Sequence, residues 1–252
     1  LKFYNAIIYT KLIITSLVFS YDGFDRDVFV TKNVRLEVKN FAADFEIPWG
    51  MAFLPDTSML VTDLSGSLYR VYQDGDKDEI EGMPNVYYKG QGGLLDVEVH
   101  PDFSENNYIY VSYSQPKKGK AFTAVARAKL IRNQLEDFEI IYSTEYKHYS
   151  RKTLHFGSRF AISGDYLFFS IGDRGERDEA QDLDKPNGKI HRLHLDGKVP
   201  SDNPFKSKNG DVSTIWCYGN RNPQGLAFSK EGVLWESEHG PRGGDELNII
   251  EK

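Results

Sequence analysis

"WGMAFLPDTSMLVTDLSGSLYRV", residues 49–71, carries a pattern that the chain repeats. A small residue leads into an apolar run, a polar turn follows, a second apolar run returns, and a polar loop closes the unit. The same order recurs in "GLLDVEVHPDFSENNYIYVSYS" (93–114), "GSRFAISGDYLFFSIGDRG" (157–175) and "QGLAFSKEGVLWESEHG" (224–240). Apolar runs of four to eight residues between Gly, Pro, Asp and Asn read as strands. Long helical periodicity is absent. Self-similarity on this scale marks a repeat architecture. Two-strand seeds with later strands at irregular spacing suit the four-stranded blades of a β-propeller. The fold expected is therefore all-β, a β-propeller with about four blades in this chain. "GKIHRLHLDG" (188–197) is expected to supply the outer pair of strands of the third blade, turning at Asp196-Gly197. A β-sandwich is the competing all-β reading, but it does not call for a repeating seed.

The 252 residues are 40% hydrophobic and 27% charged, a globular balance with room for a sizeable core. Aromatics reach 13%, which favours β-structure. Net charge is −6, and no basic run, zinc spacing or RNA motif stands out, so nucleic acid is not an expected partner. The one cysteine, Cys217, can form neither an internal disulfide nor a CxxC pair.

Residues 1–24 differ from the rest. Lys2 precedes and Lys11 interrupts an apolar stretch, "NAIIYTKLIITSLVFS" (5–20), whose uninterrupted part, Leu12 to Ser20, is too short to span a bilayer. It suits the core of a signal peptide, with a buried N-terminal strand as the alternative. The expected organisation is a leader or N-terminal extension over 1–24 and a single partial propeller over 25–252, in a periplasmic or secreted protein without stable membrane insertion.

A propeller gathers its loops at one end, where polar groups from different blades converge. Four stretches stand out. In "EHGPRGGDELN" (238–248), turned backbone at Gly240 and Pro241 could aim carbonyls, and Asp245 and Glu246 could add carboxylates, the oxygen-rich set that calcium takes; a solvated turn is the plainer alternative. In "YGNRNPQGLAF" (218–228), Arg221 beside Asn222 suits a flat anionic ligand bearing carbonyls. His155, in "LHFGSRF" (154–160), opens the third repeat and could act as a general base. Gln91 is a polar tip among the glycines of "GQGGLLD" (90–96). Among the other histidines, His191 and His194 sit three apart on a strand and face opposite ways, and His100 is expected to buttress a turn. The acidic run Asp173, Glu176, Asp178, Glu179, Asp182 and Asp184 reads as a solvated loop. No nucleophile elbow, Ser-His-Asp order, phosphate loop or dinucleotide fingerprint is present.

Taken in order, "IPWGMAFLPD" (47–56), "GQGGLLDVEVHPDF" (90–103), "LHFGSRF", "IGDRGERDEAQDLDKPNGKIHRLHLDGKVPSDNPF" (171–205), "YGNRNPQGLAF" and "EHGPRGGDELN" resemble the glucose/sorbosone dehydrogenase family, soluble six-bladed propellers that use pyrroloquinoline quinone (PQQ). The resemblance implies PQQ and Ca2+ as cofactors and oxidation of aldose sugars at the C1 hydroxyl to lactones. Electrons would pass to an external acceptor. It assigns His155 as the base, Arg221, Asn222 and Gln91 to the quinone, and the Gly240 and Pro241 carbonyls to calcium, supported by Asp245 and Glu246. It also implies about two further blades, so the chain reads as C-terminally truncated. The rival functions are a calcium-dependent lactonase-type propeller hydrolase and a non-catalytic propeller that binds a protein partner.

Overall fold

The computed structural model describes residues 27–251, and the expected leader over 1–24 lies outside the described residues. The chain divides into a unit ending at Ala43 and a unit from Asp44 onward. In the first, β1 (Asp27–Val30) and β2 (Arg35–Val38) form an antiparallel hairpin, a two-stranded sheet among the described residues.

The second unit holds four antiparallel sheets, each a meander in chain order. The first blade is β3 (Pro48–Phe53), β4 (Met59–Asp63), β5 (Leu68–Val71) and β6 (Lys77–Ile80). The second is β7 (Leu94–Val99), β8 (Tyr108–Lys117), β9 (Lys120–Ile131) and β10 (Gln134–Tyr142). The third is β11 (Phe160–Ser163), β12 (Tyr166–Ile171), β13 (Lys189–His194) and β14 (Ile215–Tyr218). The fourth has three strands among the described residues: β15 (Pro223–Phe228), β16 (Leu234–Glu238) and β17 (Glu246–Ile250). Each of the four repeats seen in the sequence holds the first two strands of a sheet, and the first runs on through β5.

One expectation is corrected. The third blade does not turn directly into its outer strand at Asp196-Gly197. That turn exists, closed by Gly197 N–H donating to the His194 carbonyl at 2.8 Å. The strand that completes the blade is β14, some twenty residues further on, paired with β13. Asn203 explains the detour. It is buried, accepts from Arg192 Nε at 2.7 Å, and donates to the Arg192 and Ser213 carbonyls, so the intervening loop folds back on the sheet.

Burial follows position in the array. β8 is buried on both faces because a blade lies on each side of it. The first and second blades share one core, with Leu60, Leu68, Leu94, Ile109 and Val111 at its centre. The second and third meet through Val125, Phe160, Leu167 and Phe169, and the third and fourth through Phe168, Ile190 and Leu234. Met51 and Phe53 on β3, and Trp235, Leu247 and Ile249 on the fourth blade, are exposed. They stand on the outer flanks of the array, where no described blade covers them.

Candidate active site

Every blade's first strand starts from the same end of the array and its second strand returns there. The loops before β7, β11 and β15 and those after β12 and β16 therefore meet at that end. They bring Gln91, His155, Asp173, Arg221, Asn222 and His239-Gly240 into one connected set.

His155 sits on left-handed backbone, with φ 54°. Its N–H donates to Gln91 Oε1 at 2.7 Å, and its Nδ1 lies 2.6 Å from Asp173 Oδ1. Left-handed backbone is uncommon for a non-glycine residue and persists only where the surroundings enforce it. Here they do. Gly172 leaves room for the turn, since a Cβ there would lie 2.4 Å from the His155 carbonyl oxygen.

Asp173 is the residue that the sequence reading misplaced. It opens the acidic run taken as a solvated loop, yet it is buried. Its N–H donates to the Arg221 carbonyl at 2.7 Å, its Oδ1 also accepts from Gly175 N–H at 2.7 Å, and its carbonyl accepts from Asn187 Nδ2 at 2.9 Å. Burial works to raise its pKa, but the hydrogen bonds from His155 and Gly175 outweigh it and hold the carboxyl below its ordinary value. The signal was available in "SIGDRG": an Asp at the loop end of a buried strand, next to glycine, has backbone neighbours and not water. Lys189 steadies the same loop from below. Its fully buried ammonium donates to the carbonyls of Glu179, Ala180 and Asn187 at 3.0, 2.9 and 2.8 Å.

Arg174 was also missed. Its residue is 1% exposed and its guanidinium packs 3.4 Å from the centre of the Phe156 ring. It donates to the Leu154 carbonyl and, at 2.6 Å, to the Lys152 carbonyl, while its Nε has no partner. Burial pulls its pKa down to about 9. Arg174 thus ties the turn that holds Asp173 to the segment that leads into His155.

Arg221 and Asn222 hang from one carboxylate. Glu238 Oε2 accepts from both backbone N–H groups, at 2.5 and 3.0 Å. Arg221 then donates to the His239 carbonyl at 2.6 Å, and Asn222 Oδ1 accepts from Gly157 N–H at 3.3 Å and from Gln224 Nε2 at 3.2 Å. A hollow of about 230 Å³ lies between Trp49, Gln91, Phe156, Gly157, Asn222, Gln224 and His239. A second, of about 390 Å³, adjoins Asp173, Arg221, Glu238, Gly240, Pro241 and Glu246. Arg159 braces the first: it stacks 3.8 Å from the Trp49 ring centre, pairs with buried Asp96 at 3.1 Å and donates to the Gln224 carbonyl at 2.8 Å.

The glycine-rich turn is built by its own residues. Gly240 N–H donates to Asp245 Oδ1 at 3.0 Å, and Gly244 N–H donates to the Pro241 carbonyl at 3.1 Å. Asp245 closes the turn, and its second oxygen lies 3.6 Å from His239 Nδ1. Glu246 begins β17 opposite Glu238 and accepts from Asn248 Nδ2 at 3.2 Å. Among the described residues no three His, Cys, Asp or Glu side chains converge as a metal cage. Two other histidines are structural: His191 is buried between Thr214 and the Pro186 carbonyl, and His100 Nδ1 accepts from Asp102 N–H at 2.9 Å.

The chain is thus a set of propeller blades whose loops gather an imidazole–carboxylate pair, a guanidinium and two amides at one end. A glucose/sorbosone dehydrogenase profile matches residues 45–252. The chain belongs to the glucose/sorbosone dehydrogenase family. It is 43% identical over 212 residues to aldose sugar dehydrogenase YliI of Escherichia coli (strain K12), an alignment that covers 81% of this chain and 57% of that protein. The crystal structure of the soluble aldose sugar dehydrogenase from Escherichia coli in the apo-form matches with a TM-score of 0.78 at 41% identity, over 84% of this chain and 62% of that one. The PQQ-bound form of aldose sugar dehydrogenase from Streptomyces coelicolor matches with a TM-score of 0.75 at 28% identity, over 90% and 64%. The chain therefore spans little more than half the length of the curated relative it matches.

Proposed function

We propose that this chain carries the base-bearing part of a PQQ- and calcium-dependent dehydrogenase that oxidises the C1 hydroxyl of aldoses to lactones. The observation that carries the reading is the His155–Asp173 pair, at 2.6 Å, on backbone held in a left-handed turn. An imidazole whose Nδ1 faces a buried carboxylate presents Nε2 outward as a proton acceptor. His155 takes the C1 hydroxyl proton, and Asp173 fixes the ring's tautomer and steadies the cation that forms.

The residues present suit the cofactors. Arg221 and Asn222 offer a guanidinium and an amide on one short segment, the set that fits a flat anion bearing carbonyls. Gln91 completes the rim through its contact with His155. In the glycine-rich turn the Pro241 carbonyl accepts only the Gly244 N–H, and the Gly240 carbonyl accepts nothing among the described residues, so both retain lone pairs for a hard cation. Asp245 and Glu246 act through the turn's shape and charge. When bound, the quinone supplies the hydride-accepting carbon that no side chain offers.

Support for the hydrolase alternative is thinner, because a metal that activates water there needs several converging carboxylate side chains. The relatives' names and the end of the array at which the polar groups meet favour sugar oxidation. Export to the periplasm or outside the cell is part of the same proposal, resting on the leader-like sequence of residues 1–24.

The test is sugar-dependent reduction of a small dye by the full-length protein that carries this chain, with PQQ and Ca2+ added. His155→Ala should lower turnover by roughly 10²–10⁴-fold while leaving PQQ binding nearly unchanged. Unchanged turnover in that variant would return His155 to a structural role.

A further inference from the structure

We propose that a lysine-rich corner beside the His155 opening docks an acidic one-electron carrier protein. The proposal rests on the dehydrogenase reading and adds the partner that the reading requires.

The short run "KKGK" (117–120) forms the patch's centre, and the fold brings a tyrosine from a later segment under it. The β8–β9 hairpin ends at Lys117 paired with Lys120. The ammonium groups of Lys117, Lys118 and Lys120 lie 5.9, 5.7 and 5.1 Å from the centre of one ring, that of Tyr146. Lys117 is also 5.6 Å from the Tyr149 ring. Among the described residues none of the three has a carboxylate partner, and neither do the exposed Arg151, on the segment before β11, and Lys89, on the loop before β7. Acids are not scarce here: Lys147 pairs with Glu145 and Lys152 with Glu176, at 2.8 and 2.7 Å. Three like charges around one ring repel one another, in a protein whose net charge is −6. An anionic surface placed against them relieves that repulsion.

The patch is fixed in place and close to the site. Ala121 and Ser150 exchange backbone hydrogen bonds at 2.9 and 3.2 Å, and the Tyr149 hydroxyl donates to Gln115. Ser150 is five residues before His155, a span of at most about 17 Å of extended chain. Thr153, between them, accepts from Gln91 N–H at 2.8 Å. The corner thus borders the same end of the array as the imidazole–carboxylate pair.

Its shape selects the occupant. A hairpin tip is convex, and the unpaired cations are spread over the tip, the segment before His155 and the loop before β7. A small anion needs an enclosing site, whereas a protein face can meet all three segments at once. The chemistry asks for such a partner. Oxidation of one C1 hydroxyl to a lactone releases two electrons and two protons. Two carrier molecules take one electron each, and the protons pass to solvent.

The test uses the haem domain of cytochrome b5, an acidic one-electron carrier, as the probe. It compares the chain with a variant carrying Lys117→Glu, Lys118→Glu and Lys120→Glu, three positions outside the candidate catalytic set. Binding is measured calorimetrically without cofactor; the chain should bind at about 20 mM salt and lose at least about tenfold affinity at about 200 mM. The variant should bind at least about tenfold more weakly at low salt. With PQQ, Ca2+ and sugar added, cytochrome reduction should slow by a similar factor in the variant, while reduction of a neutral small dye stays the same. Cytochrome binding that ignores both salt and charge reversal overturns the proposal. So does a variant that loses binding to dextran sulfate but reduces the cytochrome normally, since the corner is then a general polyanion site. The activity arm uses the whole protein that carries this chain and the remaining blades; if that protein reduces neither dye nor cytochrome, the dehydrogenase reading fails, and the binding arm alone decides the surface.

Discussion

Glu236 offers a test of the blade packing that needs no cofactor. It lies on β16, its residue is 1% exposed, and its side chain enters the seam between the third and fourth blades. Asn248 Nδ2 donates to Oε2 at 3.0 Å, but Oε1 is buried without a partner. Burial, with Glu238 and Glu246 adding repulsion, raises its pKa from 4.5 to about 7. A carboxyl with a raised folded-state pKa contributes stability that is present below its unfolded pKa and is lost as pH rises through the folded one. Between pH 4.5 and 7 the fold therefore weakens, and a shift of that size corresponds to about 3 kcal/mol by pH 8. Glu236→Gln cannot ionise and keeps an acceptor for Asn248. Its stability relative to the unaltered chain should rise by about 3 kcal/mol from pH 4 to pH 8. For a unit of this length that is a relative gain in Tm of roughly 6–12 °C. The assay is thermal unfolding followed by circular dichroism at both pH values. The change with pH is the decisive quantity, because the new amide has its own cost where Oε1 stood alone. A difference between the two proteins that is the same at pH 4 and pH 8 would refute the reasoning, since Glu236 would then ionise as freely in the fold as in the unfolded chain.

Two further outcomes follow from the scaffold of the site. Arg174→Met leaves the Lys152 and Leu154 carbonyls without their donor and should cost about 2–4 kcal/mol, read as a lower urea midpoint; an unchanged midpoint would mean the buried guanidinium costs as much as it contributes. Gly172→Ala places a Cβ where it meets the His155 carbonyl at 2.4 Å, so it should cost about 1–3 kcal/mol and shift the His155 ring resonances in NMR spectra. Unmoved resonances would show that the turn yields without disturbing His155.

Much of the fold was legible because its information is local and repeated. An apolar run, a turn and a second run, written four times, specify the first two strands of each blade. Residues 89–93, 154–159 and 219–222, the loops ahead of β7, β11 and β15, announced themselves through their glycines. Where reading failed, the missing information was long-range. β14 escaped notice because a loop anchored by Asn203 separates it from its partner, and loop closure over that distance leaves no periodic trace. Asp173 was read as solvated because a count of acids cannot say which one lies under Arg221 and beside His155.

By itself the sequence determined the repeat, the all-β class and the candidates His155, Gln91, Arg221, Asn222, Gly240 and Pro241, since turn chemistry and strand alternation act between near neighbours. Only the tertiary structure decided how these groups are held. Glu238 suspends Arg221 and Asn222 through their backbone, Arg174 and Lys189 clamp the loops from buried positions, and the lysines of one hairpin meet a tyrosine from a later segment. Each depends on desolvation and on charges brought together from distant parts of the chain, and those quantities exist only once the blades have packed.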